Sequence, residues 1–230
     1  MRQRFATHCV IAATLLLCSL ARASEAQGAP AGKVVALDVG TGDGWHLVDR
    51  TVEHLTVDGR RAVRFDERPG SGSAWNSNVV FTDGEIEFDA RGRDELQKSF
   101  VGVMFHAVSG TDAEIVYLRP FNFRAADSTR HAHAVQYTSY PVFSWEKLRA
   151  EHPGVYEKSV PPDLKPDDWV HVRVSVHGPD VRVYLNGSST PVLSVQSLRA
   201  VRRGGVGLWV GDASNGDFAN FTVSGTGAEK

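Results

Sequence analysis

The sequence predicts an all-β fold, a two-sheet antiparallel β-sandwich of the jelly-roll type. Short segments of period-2 alternation run from Val34 onward. Gly, Asp and Asn punctuate them at close intervals, and a helical period is almost absent. Removing an export segment leaves roughly 200 residues, the size of one sandwich domain with a sizeable core.

Residues 1–23 read as that export segment. Arg2 and Arg4 precede an apolar run from Cys9 to Leu20, and Ala21-Arg22-Ala23 supplies the small-x-small pattern cut by a signal peptidase. The run is far shorter than the roughly 20 residues a membrane span needs, so the mature chain is expected to carry no span. Residues 24–32 (SEAQGAPAG) are small and polar, a flexible leader to a single domain over 33–226. Both cysteines lie inside the export segment, so the mature domain is expected to have no disulfide. Its loss also removes three arginines and no acid, moving the formal charge from -2 to about -5 and disfavouring nucleic acid as a partner.

The clearest strand pair is WVHVRVSVH (169–177) followed by GPD and VRVYLNG. Val170, Val172, Val174 and Val176 share one face, and Val181, Val183 and Leu185 return on the same side. Further strands are expected near 34–37, 53–56, 62–65, 78–81, 85–90, 100–107, 114–118, 131–137, 192–195, 206–210 and 218–223. Between Tyr140 and Asp168 five prolines interrupt the pattern, and SWEKLRAEHPG reads as one or two helical turns capped by Ser144 and stopped at His152-Pro153-Gly154. The aromatic content of this loop (Tyr140, Phe143, Trp145, Tyr156) predicts an ordered wall of a binding site.

Three stretches carry candidate chemistry. In DGEIEFDAR, strand alternation places Glu85, Glu87 and Asp89 on one face at steps of about 7 Å, a spacing of carboxylates a glycosidase could use for nucleophile and acid. The other reading is an ordinary strand with its acids paired to arginine or in water. In HAHAVQY, a strand would align His131, His133, Val135 and Tyr137 on one side and Gln136 on the other. Such a pair, with His106 or a neighbouring acid, could hold zinc, though no HExxH motif accompanies it. In AEIVYLRPFNFRAADSTR, Tyr117 and Arg119 share a strand face ahead of Asn122. Planar amide and guanidinium groups with aromatic faces suit saccharides, so His106, Tyr117, Arg119, Asn122, His133, Gln136, Tyr137 and Trp145 form the candidate ligand set.

DGEIEFDAR, FVGVMFHA, AEIVYLRP, HAVQY, DWVHVRVSVHGPDVRVYLNG, GGVGLWVG and FANFTV occur in that order. Together they resemble the laminin-G-like, concanavalin A-like lectin/glucanase domains of secreted bacterial proteins, grouped with family 16 glycoside hydrolases or with 3-keto-disaccharide hydrolases. The resemblance covers most of Asp83–Val223. It implies a jelly roll with carbohydrate on the concave face and a carbohydrate-binding or carbohydrate-processing role; with the export segment, a secreted or periplasmic protein is expected, and a monomer. Its alternative is a non-catalytic laminin-G-like adhesion module. In family 16 terms Glu85, Glu87 and Asp89 stand nearest the catalytic signature, with the second and third acids exchanged. No cofactor is expected: calcium enters by analogy with laminin-G-like domains, and no DxDxDG loop is present.

Overall fold

A computed structural model describes residues 33–226; the export segment, the leader and both cysteines lie outside the described residues. The chain forms β1 (Val35–Ala36), β2 (Trp45–Val48), β3 (Val52–Val57), β4 (Arg60–Phe65), β5 (Gly72–Phe81), β6 (Asp83–Arg91), β7 (Val101–Ser109) and β8 (Asp112–Leu118). A 3-10 turn (Pro120–Asn122) and the short helix α1 (Ser128–His131) lead to β9 (Val135–Ser139), then α2 (Trp145–Glu151) and β10 (Glu157–Lys158). The last strands are β11 (Val170–His177), β12 (Asp180–Leu185), β13 (Leu193–Gln196), β14 (Gly204–Val210) and β15 (Gly216–Thr226).

All pairings are antiparallel and build two sheets. One runs β13-β12-β11-β6-β15-β4-β3, with β1 also on β15; the other runs β10-β9-β8-β7-β14-β5-β2. The core lies between them. Val170, Val172, Val174 and Val176 of β11 face it, paired in register with Ala90, Phe88, Ile86 and Gly84 of β6. Val101, Val103, Phe105, Val116, Leu118 and Leu208 project from the opposite sheet into the same core. The β11–β12 hairpin turns through Gly178 and Pro179, with Gly178 at φ 57. Observed and expected elements coincide here because unbroken alternation fixes which side of a strand is buried.

Other elements differ. β2 and β10 were not expected, since neither is long enough to show alternation. The expected strand over 131–137 divides: α1 ends at His131 and β9 begins at Val135. Asp127 explains the helical start, its side chain accepting the Arg130 N–H at 2.9 Å as an N-cap. The expected helix after Ser144 is α2, with the Ser144 hydroxyl accepting the Lys147 N–H and His152 at its C-cap.

Val172 is fully buried at the centre of the interface between sheets. Val172→Asp should destabilise the domain by roughly 3 to 5 kcal/mol, the scale of an uncompensated buried charge. Chemical denaturation reads this directly, and an unchanged midpoint would remove β11 from the core.

Candidate functional site

The outer face of the seven-stranded sheet, turned away from the main core, carries a row of polar side chains. In register, Tyr117 of β8 sits opposite Gln136 of β9, and Gln136 sits opposite Glu157 of β10. Arg119, one step beyond β8 on the same side, spans this row. Its NH2 donates to the Tyr117 hydroxyl at 2.8 Å and to Gln136 Oε1 at 3.1 Å, and its NH1 donates to the His133 carbonyl at 2.8 Å. The guanidinium stacks 4.9 Å from the Tyr117 ring centroid, and that ring meets Trp209 at 5.0 Å. Gly102, paired with Tyr117 across β7, leaves room for this stack: a Cβ there would lie 2.6 Å from the Tyr117 Cβ.

α2 closes one side. Trp145 and Arg149 are four residues apart on it and therefore share a face. Arg149 grips Glu157 with Nε to Oε1 at 2.9 Å and NH2 to Oε2 at 2.6 Å, and its guanidinium lies 4.7 Å over the Trp145 ring. The chain after β8 supplies the other side. Asn122 Oδ1 accepts from Arg130 Nε at 3.3 Å, and His133 Nε2 lies 3.1 Å from Glu157 Oε1. Arg119, Asn122, Arg130, His133, Trp145 and Arg149, with Leu96, Gln97, Phe100 and Phe121, line a cleft of about 600 Å³, and Glu146 and Asp212 also reach it.

Burial sets the electrostatics. Glu157 is only 3% exposed and answers Arg149 and His133 at once, with Arg119 NH1 at 4.0 Å. Desolvation pulls the Arg119 pKa below its usual value; Tyr117 and Glu157 oppose the shift and Arg149 adds to it. His133 is also held below the ordinary histidine value, chiefly by burial, with Glu157 opposing and Arg149 and Arg119 reinforcing. At neutral pH its ring is therefore uncharged. The nitrogen facing Glu157 is Nε2, and a hydrogen held there leaves the lone pair on Nδ1. Burial likewise raises the Tyr117 pKa far above its usual value, so this hydroxyl stays protonated.

Arg119, Asn122, His133 and Trp145 line the cleft, and Tyr117 and Gln136 lie buried behind it, bonded to Arg119. Tyr137 and His106 are elsewhere. Alternation along β9 turns Tyr137 through the sheet into the core, where its hydroxyl donates to Glu114 Oε1 at 2.5 Å and accepts the Leu198 N–H at 2.9 Å. His106 sits at an irregularity in β7 with φ 49, which breaks the alternation and turns its ring onto Glu114 Oε2 at 2.5 Å and the Thr82 carbonyl at 2.9 Å.

Glu85, Glu87 and Asp89 belong to β6 and lie on the outer face of the other sheet. Glu85 pairs with Arg173 and accepts from Ser175; Glu87 pairs with His171; Asp89 holds Arg60, His171 and Asn220. The sandwich thickness separates them from the cleft, so the two candidate sets do not form one site. His131 and His133 do not align as a strand pair, because the helix end and a turn lie between their backbones and β9. Among the described residues, no cluster of three or more His, Cys, Asp or Glu side chains is arranged to hold a metal ion. Sequence reasoning missed Glu157 and Arg149. The i, i+4 spacing of Arg149 from Trp145 was a usable signal, whereas Glu157 lies in a two-residue strand that leaves none.

Glu157→Gln would leave Arg119 and Arg149 without their shared carboxylate. The expected cost is roughly 3 kcal/mol in chemical denaturation, with a further fall of the His133 pKa in a histidine NMR titration. A second expectation concerns pH. The folded pKa of His133 is depressed, so the unfolded chain binds the proton more tightly; this contribution to stability is full above about 6.5 and is lost as pH falls through the folded value. His133→Gln should flatten that part of the stability profile, and an unaltered profile would show that His133 carries none of it.

Solved structures of similar shape have low identity to the chain. The carbohydrate-binding module CBM66 from Bacillus subtilis superposes with a TM-score of 0.56 at 18% identity, covering 79% of this chain and 96% of that one. The VIP36 exoplasmic/lumenal domain, in a form with Ca2+ and Man3GlcNAc bound, gives 0.52 at 10% identity over 78% and 82%. A native glycosidic hydrolase gives 0.51 at 12% identity over 84% and 94%. At such identities the likeness carries the sandwich fold alone. No curated protein matches the chain. The family model of the 3-keto-alpha-glucoside-1,2-lyase-like domain matches residues 34–223, from the first strand to the last, which reaches further toward the N-terminus than the motifs of Asp83–Val223. The chain therefore belongs to the family of 3-keto-alpha-glucoside-1,2-lyase-like domains.

Proposed function

We propose that the cleft between α2 and the outer face of the seven-stranded sheet binds a saccharide and removes a proton beside its carbonyl group. The observation that carries this reading is the pairing of buried Glu157 with half-buried His133, whose imidazole stands on the cleft wall with the Arg119 guanidinium adjoining it. A carboxylate-oriented, uncharged histidine is a competent general base, and a guanidinium in a water-poor site stabilises an oxyanion developing on a carbonyl oxygen. Trp145, backed on one side by Arg149, offers an aromatic face for sugar C–H groups.

The family description supplies a reaction that suits these groups. In a 3-keto-α-glucoside the C2 hydrogen is adjacent to the C3 carbonyl. His133 takes this proton while Arg119 meets the charge on the C3 oxygen. The C2–H electron pair becomes the C1=C2 double bond, the C1–O bond breaks, and the leaving group departs with its electrons to be protonated by the histidinium or water. The export segment at 1–23 supports action outside the cytoplasm, secreted or periplasmic, on a glycan or glycoconjugate.

Purified protein incubated with a 3-keto-α-glucoside should release the aglycone, and the parent glucoside should stay intact. His133→Ala should lower the rate at least a hundredfold, the ordinary contribution of a general base. Trp145→Ala should weaken binding by about 1 to 3 kcal/mol. Release unaffected by the His133 substitution in a folded protein would overturn the base assignment, and failure to bind any saccharide would overturn the site.

A further inference from the structure

The cations around the cleft floor outnumber the buried carboxylates available to them. Both oxygens of Glu157 are taken by Arg149 and His133. Arg119 is only 5% exposed; Glu157 Oε2 stands 4.0 Å from its NH1, beyond hydrogen-bond reach, and its hydrogen bonds all end on neutral oxygens: the His133 carbonyl, the Tyr117 hydroxyl and Gln136 Oε1. Arg130, half-buried, likewise bonds only to neutral oxygens, donating to Asn122 Oδ1 and to the Phe121 carbonyl at 2.9 Å. The two guanidinium groups are tied to one bridge, because Asn122 Nδ2 also donates to the His133 carbonyl that Arg119 holds. Each guanidinium has five N–H donors, so three bonds at Arg119 and two at Arg130 leave N–H groups uncommitted on both. The acids on the cleft lining, Glu146 and Asp212, are exposed, and Asp212 already accepts the Gly70 N–H at 2.6 Å. Water screens them far better than it screens the floor.

We infer that the cleft selects a saccharide bearing a carboxylate, a uronic acid residue, whose carboxylate lies against Arg119 and Arg130. This rests on the reading of the cleft as a saccharide site and adds the class of sugar. The one buried carboxylate near Arg119 is 4.0 Å away and engaged more closely by Arg149 and His133, so a second anion at bonding distance completes its pairing, and a planar carboxylate matches the guanidinium fork in a way a neutral hydroxyl pair does not.

Calorimetric titration of the whole protein with a glucuronate-terminated disaccharide, its methyl ester and its sulfated neutral counterpart tests this. The free acid should bind at least tenfold more tightly than the ester, and the preference should shrink with added salt. Arg130→Gln should remove most of that preference in a protein that melts like the wild type. Equal binding of acid and ester would overturn the uronate assignment and leave the saccharide site standing. Tighter binding of the sulfated sugar would overturn the carboxylate in favour of another anion. Binding of none of the three, nor of neutral keto-sugars, would overturn the saccharide site itself.

Discussion

The site depends on one buried charge. Glu157 is almost wholly out of water, and its two oxygens fasten three separate pieces of chain. Arg149 comes from α2, His133 from the turn before β9, and Glu157 itself from the two-residue edge strand β10. Burying a carboxylate alone would cost several kcal/mol, so it persists only because the cations converge on it. The arrangement is reciprocal: without the carboxylate the guanidinium groups would be the unpaired charges. Packing of α2 against β9 thus has an electrostatic cause as much as an apolar one.

The two sheets divide labour. Between them lies an apolar core in which the exceptional residues are His106, Glu114 and Tyr137, linked to each other and to the Thr82 carbonyl and Leu198 N–H. Every polar atom of that chain that could be left unpaired has a partner, which is the condition for such a network to survive burial. It pins β7, β8 and β9 in register from the inner side. Gly102, Tyr117 and Trp209 do the corresponding packing on the outer side, so the strands that present Arg119 and Gln136 are held from both faces.

How much of this was legible follows from the period of a strand. Alternation in 169–185 names its buried valines without ambiguity, and Ser144 marks the start of α2 because a capping hydroxyl is a local signal. The same alternation misleads at HAHAVQY, where His and Ala alternate with no apolar face to bury, and the capping Asp127 decides for a helical turn. Alternation also places Glu85, Glu87 and Asp89 outward correctly but says nothing of which sheet's outer face they share. That is a matter of strand order, fixed by pairings between β6, β11 and β15 far apart in sequence. Glu157 was invisible for a related reason: its importance comes from what surrounds it in space, and a two-residue strand has no pattern.

A comparison within the molecule shows why the surroundings decide. On the outer face of the eight-stranded sheet, Glu85 faces Arg173 at 3.0 Å and His177 at 3.5 Å. Glu157 has the same two kinds of partner in Arg149 and His133, at similar distances. The residue types match; the dielectric does not. The arginines are almost equally exposed, but the Glu85 side chain is 27% exposed against 3% for Glu157, and His177 54% against 20% for His133, and such wetter pairs contribute little on their own. Over Glu157 lie α2 and the segment from Pro120 to His133, which exclude water and strengthen each charge on its neighbours. The covered copy holds its histidine pKa below the ordinary value beside a cleft, with a second guanidinium, that of buried Arg119, 4.0 Å from the same carboxylate. The candidate site on this sandwich is therefore set by the connections laid across one sheet, and the strands beneath serve as their rigid support.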